Sequence, residues 1–583
     1  GSRSASCVGR ATGLDTTEQD FFTAGGAVDE IQSLSQWALM TDGTGSTVDQ
    51  RSAARGENLV NFLRGQRGKE GTTPFTPNDL NLLYRKRQHV LGDIVNSQPL
   101  FVRGAAAAYA DTGYAAFAAS VAGRQPVVYV AANDGMLHAF TATPDAAGGE
   151  ELWAVIPRSV LPRLHKLADA NYSNLHEYFV DGRPVRDDVY SAGAWRTILV
   201  GGLNKGGRGY YALDITNPSA PKALWEFTHD PNVCGVAGAT SDCHLGYTFG
   251  NPVISKLKDG RWVVFVTSGY NNVNTPSLAG DGAGYLYVLE AMTGKLIYKI
   301  ATGAGDAANP AGLAKITAWV NNPRIDNTTE RVYGVDLLGN VWRFDVNDER
   351  DALSNPILPP AGRDAVRLVT LKDSLGNPQP ITVAPRLSEV GSPPEPFVFV
   401  ASGKYLGVSD VSTTQVQSVY GIKDTLSATA IANPRVSFAR VSLPTGAART
   451  VTCDTATGCN ASNGWYADLP DTGERVNVAM ELQLGTLVVA SNVPANTACE
   501  PGGYGYLNYF DIATGLPPPG TSNAQARYRV TGLTVGLSIV KLSDGTVIVY
   551  RQKHTGEPPG KEDVPIASGA PSGKRVTWRE LQQ

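Results

Sequence analysis

The six cysteines of this 583-residue chain are its clearest candidates for chemistry. Cys234 and Cys243 lie nine positions apart in a segment rich in Gly and Asp, and Cys453 and Cys459 lie six positions apart. Such short spacings suit disulfides that restrain long surface connections. We therefore predict the disulfides Cys234–Cys243 and Cys453–Cys459, which imply an oxidising compartment. Free thiols in a cytosolic protein are the alternative.

The other reactive side chains give weaker patterns. Cys7 pairs either with Cys499 or with a region outside this sequence, and the sequence has no Cys-x-x-Cys pair of the kind that holds zinc. The seven histidines are scattered, and the motifs of metalloproteases, serine hydrolases and phosphate-binding loops do not occur. His138 lies inside a predicted strand pair and is interpreted as a core or turn partner. No catalytic residue is predicted.

An oxygen-rich run follows one of the predicted strands, at Asp345, Asn347, Glu349 and Asp351. Oxygen donors at alternate positions are what a calcium loop requires, but such a loop also needs a glycine at its turn. This run has no glycine, so a solvated acidic turn is the better interpretation.

A recurrent two-strand unit must position whatever site the chain carries. It reads VVYVAANDGMLHAF at Val127–Phe140, GYLYVLEAMTGKLIYKI at Gly284–Ile300, RVYGVDLLGNVWRFD at Arg331–Asp345 and GYGYLNYFDIATG at Gly503–Gly515. Each copy has an apolar strand, a tight turn and a second alternating strand. A hairpin cannot bury both of its faces alone, so such units must stack on neighbours of the same kind. The prediction is an all-β fold, a modified β-propeller of about seven blades.

The first 88 residues differ from the rest. Glu30–Leu39 and Arg51–Phe62 carry apolar residues at mixed three- and four-residue spacing, which predicts short helices. We therefore predict a partly helical entry segment at residues 1–88 and a propeller at residues 89–583, with long inserted loops at Asn271–Ala283 and Leu443–Gly464. The chain opens Gly-Ser without an initiator Met, which is typical of a cloning scar. We expect the natural N-terminus and any upstream domain to lie outside this sequence.

Bulk composition excludes some classes of function. The formal net charge is −4, and nucleic-acid binding normally requires a basic face. The strongest basic run, Arg85–His89, is interpreted as a solvated or structural face. No stretch approaches the roughly 20 apolar residues of a membrane span. We predict neither a nucleic-acid partner nor a transmembrane segment.

Nine segments occur in an order that resembles a known family. They are LGDIVNSQPLFV at Leu91–Val102, VYVAANDGMLHAF at Val128–Phe140, WAVIPRSVLPRL at Trp153–Leu164, HEYFVDGRP at His176–Pro184, WRTILVGGLNKGGRGYYALDIT at Trp195–Thr216, GYTFGNPVI at Gly246–Ile254, TSGYNN at Thr267–Asn272, GAGYLYVLEAMTG at Gly282–Gly294 and VYGVDLLGNVWRFD at Val332–Asp345. The chain is thereby similar to the C-terminal propeller of the PilC/PilY family, which acts in type IV pilus biogenesis and as pilus-tip adhesins, and the match covers nearly all of residues 52–515. Single fragments are less specific, since quinoprotein-like propellers share them.

The resemblance implies a non-enzymatic binding platform exported through the periplasm to the outer membrane, cell surface or pilus tip. It implies minor pilins and a host-cell or surface receptor as partners, with roles in pilus extension over retraction, twitching motility, attachment and virulence. The alternative is a quinoprotein dehydrogenase that uses pyrroloquinoline quinone. Many such enzymes carry adjacent cysteines, which this chain lacks.

The resemblance also implies a calcium loop just before the strand pair at Val332–Asp345. Counted back from that pair, the family's ligand positions here are Asn322, Asp326, Thr328 and Glu330, together with Arg324. Arg324 cannot be a ligand, and its positive charge would repel Ca²⁺. Two hypotheses remain: a calcium site with about four donors, or a hydrogen-bonded loop in which Arg324 takes the place of the metal.

Overall fold

Seven groups of antiparallel strands, here called blades 1 to 7, dominate the computed structural model. The structure describes residues 14, 16–23, 30–45, 48–71, 77–275, 278–349, 363–443, 452–453, 463–495, 502–521, 526–541, 547–563 and 573–575. Within these residues no helix is long and apolar enough to cross a membrane.

The blades follow one another along the chain. Blade 1 consists of Leu100–Val102, Val127–Ala132, Met136–Thr141 and Glu151–Val155. Blade 2 consists of Val185–Ser191, Ala194–Gly202, Gly209–Asp214 and Lys222–Thr228. Blade 3 consists of Val253–Lys256, Trp262–Thr267, Tyr285–Glu290 and Leu296–Ala301, with an inserted strand pair at Val273–Thr275 and Leu278–Asp281. Blade 4 consists of Lys315–Asn322, Asp326–Val335, Asn340–Phe344 and Ala365–Thr370.

The later blades are less regular. Blade 5 consists of Arg386–Val390, Glu395–Ala401, Ser418–Lys423 and Gly464–Asp468, extended by Ala439–Ser442, Thr452–Cys453 and Gly573–Arg575. Blade 6 consists of Glu481–Gln483, Thr486–Pro494, Gly503–Asp511 and Arg527–Thr531. Blade 7 consists of Thr534–Lys541, Val547–Lys553 and Gly560–Asp563.

The hydrophobic core lies between blades rather than within them. Six clusters of buried side chains join blades 1 and 2, 2 and 3, 3 and 4, 4 and 5, 5 and 6, and 6 and 7. In blade 2, Leu199 packs toward blade 1, whereas its neighbours Ile198 and Val200 pack toward blade 3. Strand side chains alternate between faces, so one apolar strand can serve two clusters. The predicted stacking of hairpins into a propeller of about seven blades is confirmed.

Short helices occupy the N-terminal segment and the connections between strands. The α-helices are Thr16–Gln19, Gln50–Ala53, Glu57–Leu63, Tyr114–Val121 and Pro434–Ser437. The 3₁₀ helices are Glu30–Ser33, Trp37–Leu39, Arg158–Ala168, Tyr172–Asn174 and Val408–Ser412. Leu59 and Phe62 share one core cluster with blade 1. The N-terminal segment is therefore packed onto the propeller, and its predicted status as a separate unit at residues 1–88 stays a prediction.

Carboxylates cap the turns inside the repeated unit. In blade 4 the Asp336 carboxylate accepts hydrogen bonds from the backbone N–H groups of Leu338 and Asn340 and from Trp342 Nε1, at 2.8–2.9 Å. Gly339 completes this turn at φ +78°, in the left-handed region that favours glycine. Because Asp336 is fully occupied by turn groups, its role in the repeat is structural.

Candidate metal-binding hairpin and disulfide loop

The predicted calcium loop Asn322–Glu330 is not a loop: it comprises the turn of a β-hairpin in blade 4 and the first residues of the second strand. Lys315–Asn322 and Asp326–Val335 pair with each other, and Asn322 lies opposite Asp326 in the register. The Ile325 N–H donates to the Asn322 carbonyl at 3.0 Å and closes the turn. The structure therefore places all four predicted ligands on one hairpin, although the polar side chains around them divide into two groups.

The first group surrounds Asp326. Its Oδ1 accepts from the Thr328 N–H at 3.1 Å and the Thr328 hydroxyl at 2.6 Å. Lys256 Nζ, from blade 3, lies 3.1 Å from the same oxygen and 2.5 Å from Asp111 Oδ1. Burial alone would raise the pKa of Asp326, but the bonds from Thr328 and Lys256 outweigh it and lower that pKa. The carboxylate is held ionised beside a lysine ammonium group.

The second group surrounds Glu330. One of its oxygens accepts from Asn321 Nδ2 at 3.1 Å, and the other forms an ion pair with Lys258 Nζ. Lys258 Nζ also contacts Glu349 at 2.5 Å, so it bridges Glu330 to the acidic run that follows the next strand of blade 4. In that run Asp345 caps the turn by accepting from the Asn347 N–H at 2.9 Å.

Asn327 connects the hairpin to blade 2. Its Nδ2 donates to Asp187 Oδ2 at 2.9 Å, and the Tyr109 hydroxyl donates to the other oxygen of Asp187 at 2.7 Å. Burial, together with the nearby Asp188 carboxylate, raises the pKa of Asp187 to about 7. Asn327 lies in the second strand of the hairpin and contributes a side-chain bond that glycine could not form.

These contacts test how well the donor set suits calcium. Ca²⁺ takes six to eight oxygen ligands, and the hairpin offers two carboxylates among its predicted donors. Asp326 and Glu330 already hold the ammonium groups of Lys256 and Lys258, one each. An ion bound by both carboxylates would have to displace these lysines, so the arrangement fits a metal poorly. Calcium at this hairpin stays a prediction.

The cysteine predictions have one direct outcome. Cys234 and Cys243 form a disulfide, as predicted. The predicted disulfide Cys453–Cys459 and the pairing of Cys7 or Cys499 involve side chains outside the described residues.

The sulfur of Cys243 lies beside a second polar cluster, because His244 Nδ1 is 3.0 Å away. The sequence alone gives His244 no role, because it treats the seven histidines as scattered.

The basic run Arg85–His89 lines a cavity of about 450 Å³. Arg87 is buried and pairs with Glu70 at 2.8 Å, while Arg85 lies over the Tyr172 ring at 4.4 Å. Arg85 thus joins the N-terminal segment to the propeller, whereas the Arg87–Glu70 pair lies within that segment. Both arginines have structural roles, as expected for a structural face. Lys86 and His89 remain exposed at the cavity rim.

The sequence of the unit at Gly503–Gly515 makes Tyr504 and Tyr506 candidates for an exposed binding patch. Tyr506 is buried under Arg527, whose guanidinium lies 4.0 Å from the centre of its ring. Both tyrosine hydroxyls donate to Asp471 Oδ2, at 3.0 Å and 2.8 Å. Tyr506 is therefore buried in blade 6 and Tyr504 is half-buried, so the prediction that both form an exposed patch is wrong.

Comparison with known proteins gives concordant matches. The profile of the PilY1 beta-propeller domain matches residues 91–442. A Xylella fastidiosa protein named type IV pilus biogenesis factor PilY1 homolog is 31% identical over 91% of this chain and 41% of its own length. The type IV pilus biogenesis factor PilY1 of Pseudomonas aeruginosa strain PAK is 31% identical over 79% of this chain and 41% of its own length.

A solved structure supports the fold. The crystal structure of the Pseudomonas aeruginosa PilY1 C-terminal domain aligns with a TM-score of 0.60 and 24% identity, covering 80% of this chain and all of that one. The present chain spans about two fifths of the length of the curated relatives it matches.

Proposed function

The chain belongs to the PilY1 beta-propeller family, and we propose that it acts in type IV pilus biogenesis. The observation that carries this proposal is the family match over residues 91–442, an unbroken stretch from the start of blade 1 into blade 5. Curated relatives that align with most of this chain are named type IV pilus biogenesis factors.

The finer role we propose is a binding platform at the pilus tip or cell surface. In this role the propeller contacts minor pilins and a host-cell or surface receptor, favours pilus extension over retraction, and thereby supports twitching motility and attachment. A rigid strand scaffold that displays long loops suits binding, since loops on such scaffolds carry recognition surfaces. The Cys234–Cys243 disulfide suits an exported protein.

We propose further that the propeller binds without catalysis. The repeated-turn carboxylate of Asp336, which could serve as an acid or base, already accepts hydrogen bonds from the Leu338 and Asn340 N–H groups and from Trp342 Nε1. The quinone-dependent dehydrogenase remains the alternative, and no contact among the described residues specifically favours it. Calcium control rests on the sequence pattern at Asn322–Glu330 and is a separate proposal.

A chimera tests the biogenesis role. In Pseudomonas aeruginosa, the C-terminal domain of PilY1 is replaced by this chain, and sheared surface pili and twitching zones are measured. We expect surface pili to exceed those of a strain whose PilY1 lacks the C-terminal domain. An exported chimera that yields no more pili than this truncation contradicts the proposal. Restored pili without attachment to cells or surfaces would contradict only the adhesin part.

A further inference from the structure

The two sulfurs of the Cys234–Cys243 disulfide have different surroundings. Cys234 is exposed at the surface of the loop, whereas Cys243 is only 2% exposed. The loop is anchored to the outer strand of blade 3, because the Gly238 N–H donates to the Leu296 carbonyl at 2.7 Å. An external thiolate can therefore reach one sulfur, while the other faces the protein interior.

The buried sulfur faces an imidazole. His244 Nδ1 lies 3.0 Å from Cys243 Sγ and 2.8 Å from Lys299 Nζ. His244 Nε2 lies 3.4 Å from Asp281 Oδ2. An ammonium group can only donate, so in the resting state Nδ1 accepts from Lys299 and Nε2–H points to Asp281.

Other charged and titratable groups surround this imidazole. Asp242 is fully buried and accepts from Lys299 Nζ at 3.0 Å, and its Oδ1 lies 3.3 Å from His244 Nδ1. Tyr285 donates to Asp281 at 2.5 Å, and its ring centre lies 4.1 Å from Lys299 Nζ. Burial lowers the pKa of Lys299, although the Asp242 carboxylate opposes this. The cluster thus holds two carboxylates that can stabilise an imidazolium and a lysine that can supply a proton.

We propose that Cys234–Cys243 is a site of thiol–disulfide exchange, in which a dithiol attacks the exposed Cys234 sulfur and Cys243 leaves as a thiolate held by His244. Exchange is faster when the leaving thiol has a low pKa, and a neighbouring imidazolium lowers that pKa. The surroundings of Cys243 therefore favour its departure, and the exposure of Cys234 directs the attack.

The electrons and protons balance in two steps. One thiolate of the dithiol forms a bond to Cys234 Sγ, and the S–S electron pair leaves with Cys243. Lys299 passes a proton to His244 Nδ1, which then donates a hydrogen bond to the new thiolate. The second thiolate of the dithiol attacks the mixed disulfide and releases Cys234 as a thiolate, so the dithiol is oxidised to a disulfide and the protein disulfide is reduced.

The test measures reduction of this one disulfide by dithiothreitol in the full chain. Aliquots are quenched by alkylation, and the peptides that contain Cys234 and Cys243 are quantified by mass spectrometry. We expect His244→Gln to lower the second-order rate constant by about three- to tenfold. His176→Gln, which alters a histidine paired with Asp93 elsewhere, serves as the matched control and should leave the rate unchanged.

The direction in which His244→Gln changes the reduction rate distinguishes this proposal from a purely structural role of His244. If His244 only packs the loop, its replacement exposes the disulfide and makes reduction faster, and an equal or faster rate overturns the proposal. A second measurement does not depend on any variant: glutathione is added to the native protein, and the mixed disulfide is mapped. We expect glutathione on Cys234; its attachment to Cys243, or resistance of the disulfide until the protein unfolds, also overturns the proposal.

Discussion

Single acidic residues shape the turns of this protein. Asp511 ends an alternating strand, and its carboxylate caps the following turn by accepting from the Thr514 N–H at 3.0 Å. Gly515 takes φ +72° in the same turn, in the left-handed region that favours glycine. These bonds span only a few positions, so spacing alone predicts them.

His138 illustrates a residue whose environment sets its charge. It is buried in blade 1, with Nδ1 2.6 Å from Glu151 and Nε2 3.1 Å from Asp134. Burial lowers the pKa of the imidazolium, but hydrogen bonds to Asp134 and Glu151 outweigh that effect and raise it to about 9. The interpretation of His138 as a core or turn partner is confirmed by these contacts.

This raised pKa predicts a pH dependence of stability. The stabilisation from protonated His138 is complete below its unfolded pKa of about 6.5 and is lost as the pH rises through 9. We expect the free energy of urea unfolding to fall between pH 6.5 and pH 9.5 by on the order of 1–3 kcal/mol more in the wild type than in His138→Gln. The exposed His89→Gln variant should follow the wild type; parallel curves for His138→Gln and the wild type would contradict the prediction.

At the scale of elements, the hairpin of blade 4 shows where sequence reasoning stops. Alternation predicts the strand pair within Arg331–Asp345, but it did not predict the preceding strand Lys315–Asn322 that completes the hairpin. The four predicted ligands nevertheless lie on this one hairpin. Lys256 and Lys258 could not be predicted as their partners, because they lie some 70 positions earlier in another blade. A single parallel bridge between Lys256 and Thr328 brings the two blades into register, and nothing in local spacing encodes it.

Removal of the competing ammonium group should reveal whether the hairpin can hold calcium. Lys256 Nζ occupies the space beside Asp326 that a cation would take. We expect Lys256→Met to bind Ca²⁺ more tightly than the wild type in calorimetric titrations of chelator-stripped protein, with a larger rise of Tm on adding Ca²⁺.

Two further variants make this measurement specific. Lys256→Arg keeps the positive charge and should behave as the wild type does. Asp326→Ala, combined with Lys256→Met, removes a ligand and should abolish the gain. Equal calcium binding by Lys256→Met and the wild type would show that the lysine does not compete for a site here.

At the scale of the whole molecule, stability depends on contacts between consecutive blades. The alternation of residues predicted strands with two apolar faces. Such strands must be covered on both sides, and the stacked fold was predicted largely on that basis. It did not predict the polar bonds between blades, because their partners lie far apart in the sequence and on different sheets. Contacts between distant segments were also missed at the N-terminus: the helices there were predicted, but the hydrophobic core that they share with blade 1 was not.

The ion pair of Arg343 and Asp424 is the sharpest test of that dependence. Arg343 lies in blade 4 and Asp424 directly follows a strand of blade 5; their side chains are 0% and 1% exposed, and the two groups are 2.6 Å apart. The Tyr333 hydroxyl also donates to Asp424 at 2.6 Å. Removing one partner of a buried pair leaves an uncompensated charge in the interior, which is more costly than the loss of the pair itself.

We therefore expect Arg343→Met to lower the free energy of unfolding by about 3–5 kcal/mol in urea denaturation. Addition of Asp424→Asn should recover part of that loss, because the amide keeps the hydrogen-bonding shape without the charge. Arg261→Met, which breaks the exposed pair with Asp259, should cost less than about 1 kcal/mol. If Arg343→Met and Arg261→Met cost the same, blades 4 and 5 are joined by their apolar cluster alone, and the buried charges contribute nothing to that junction.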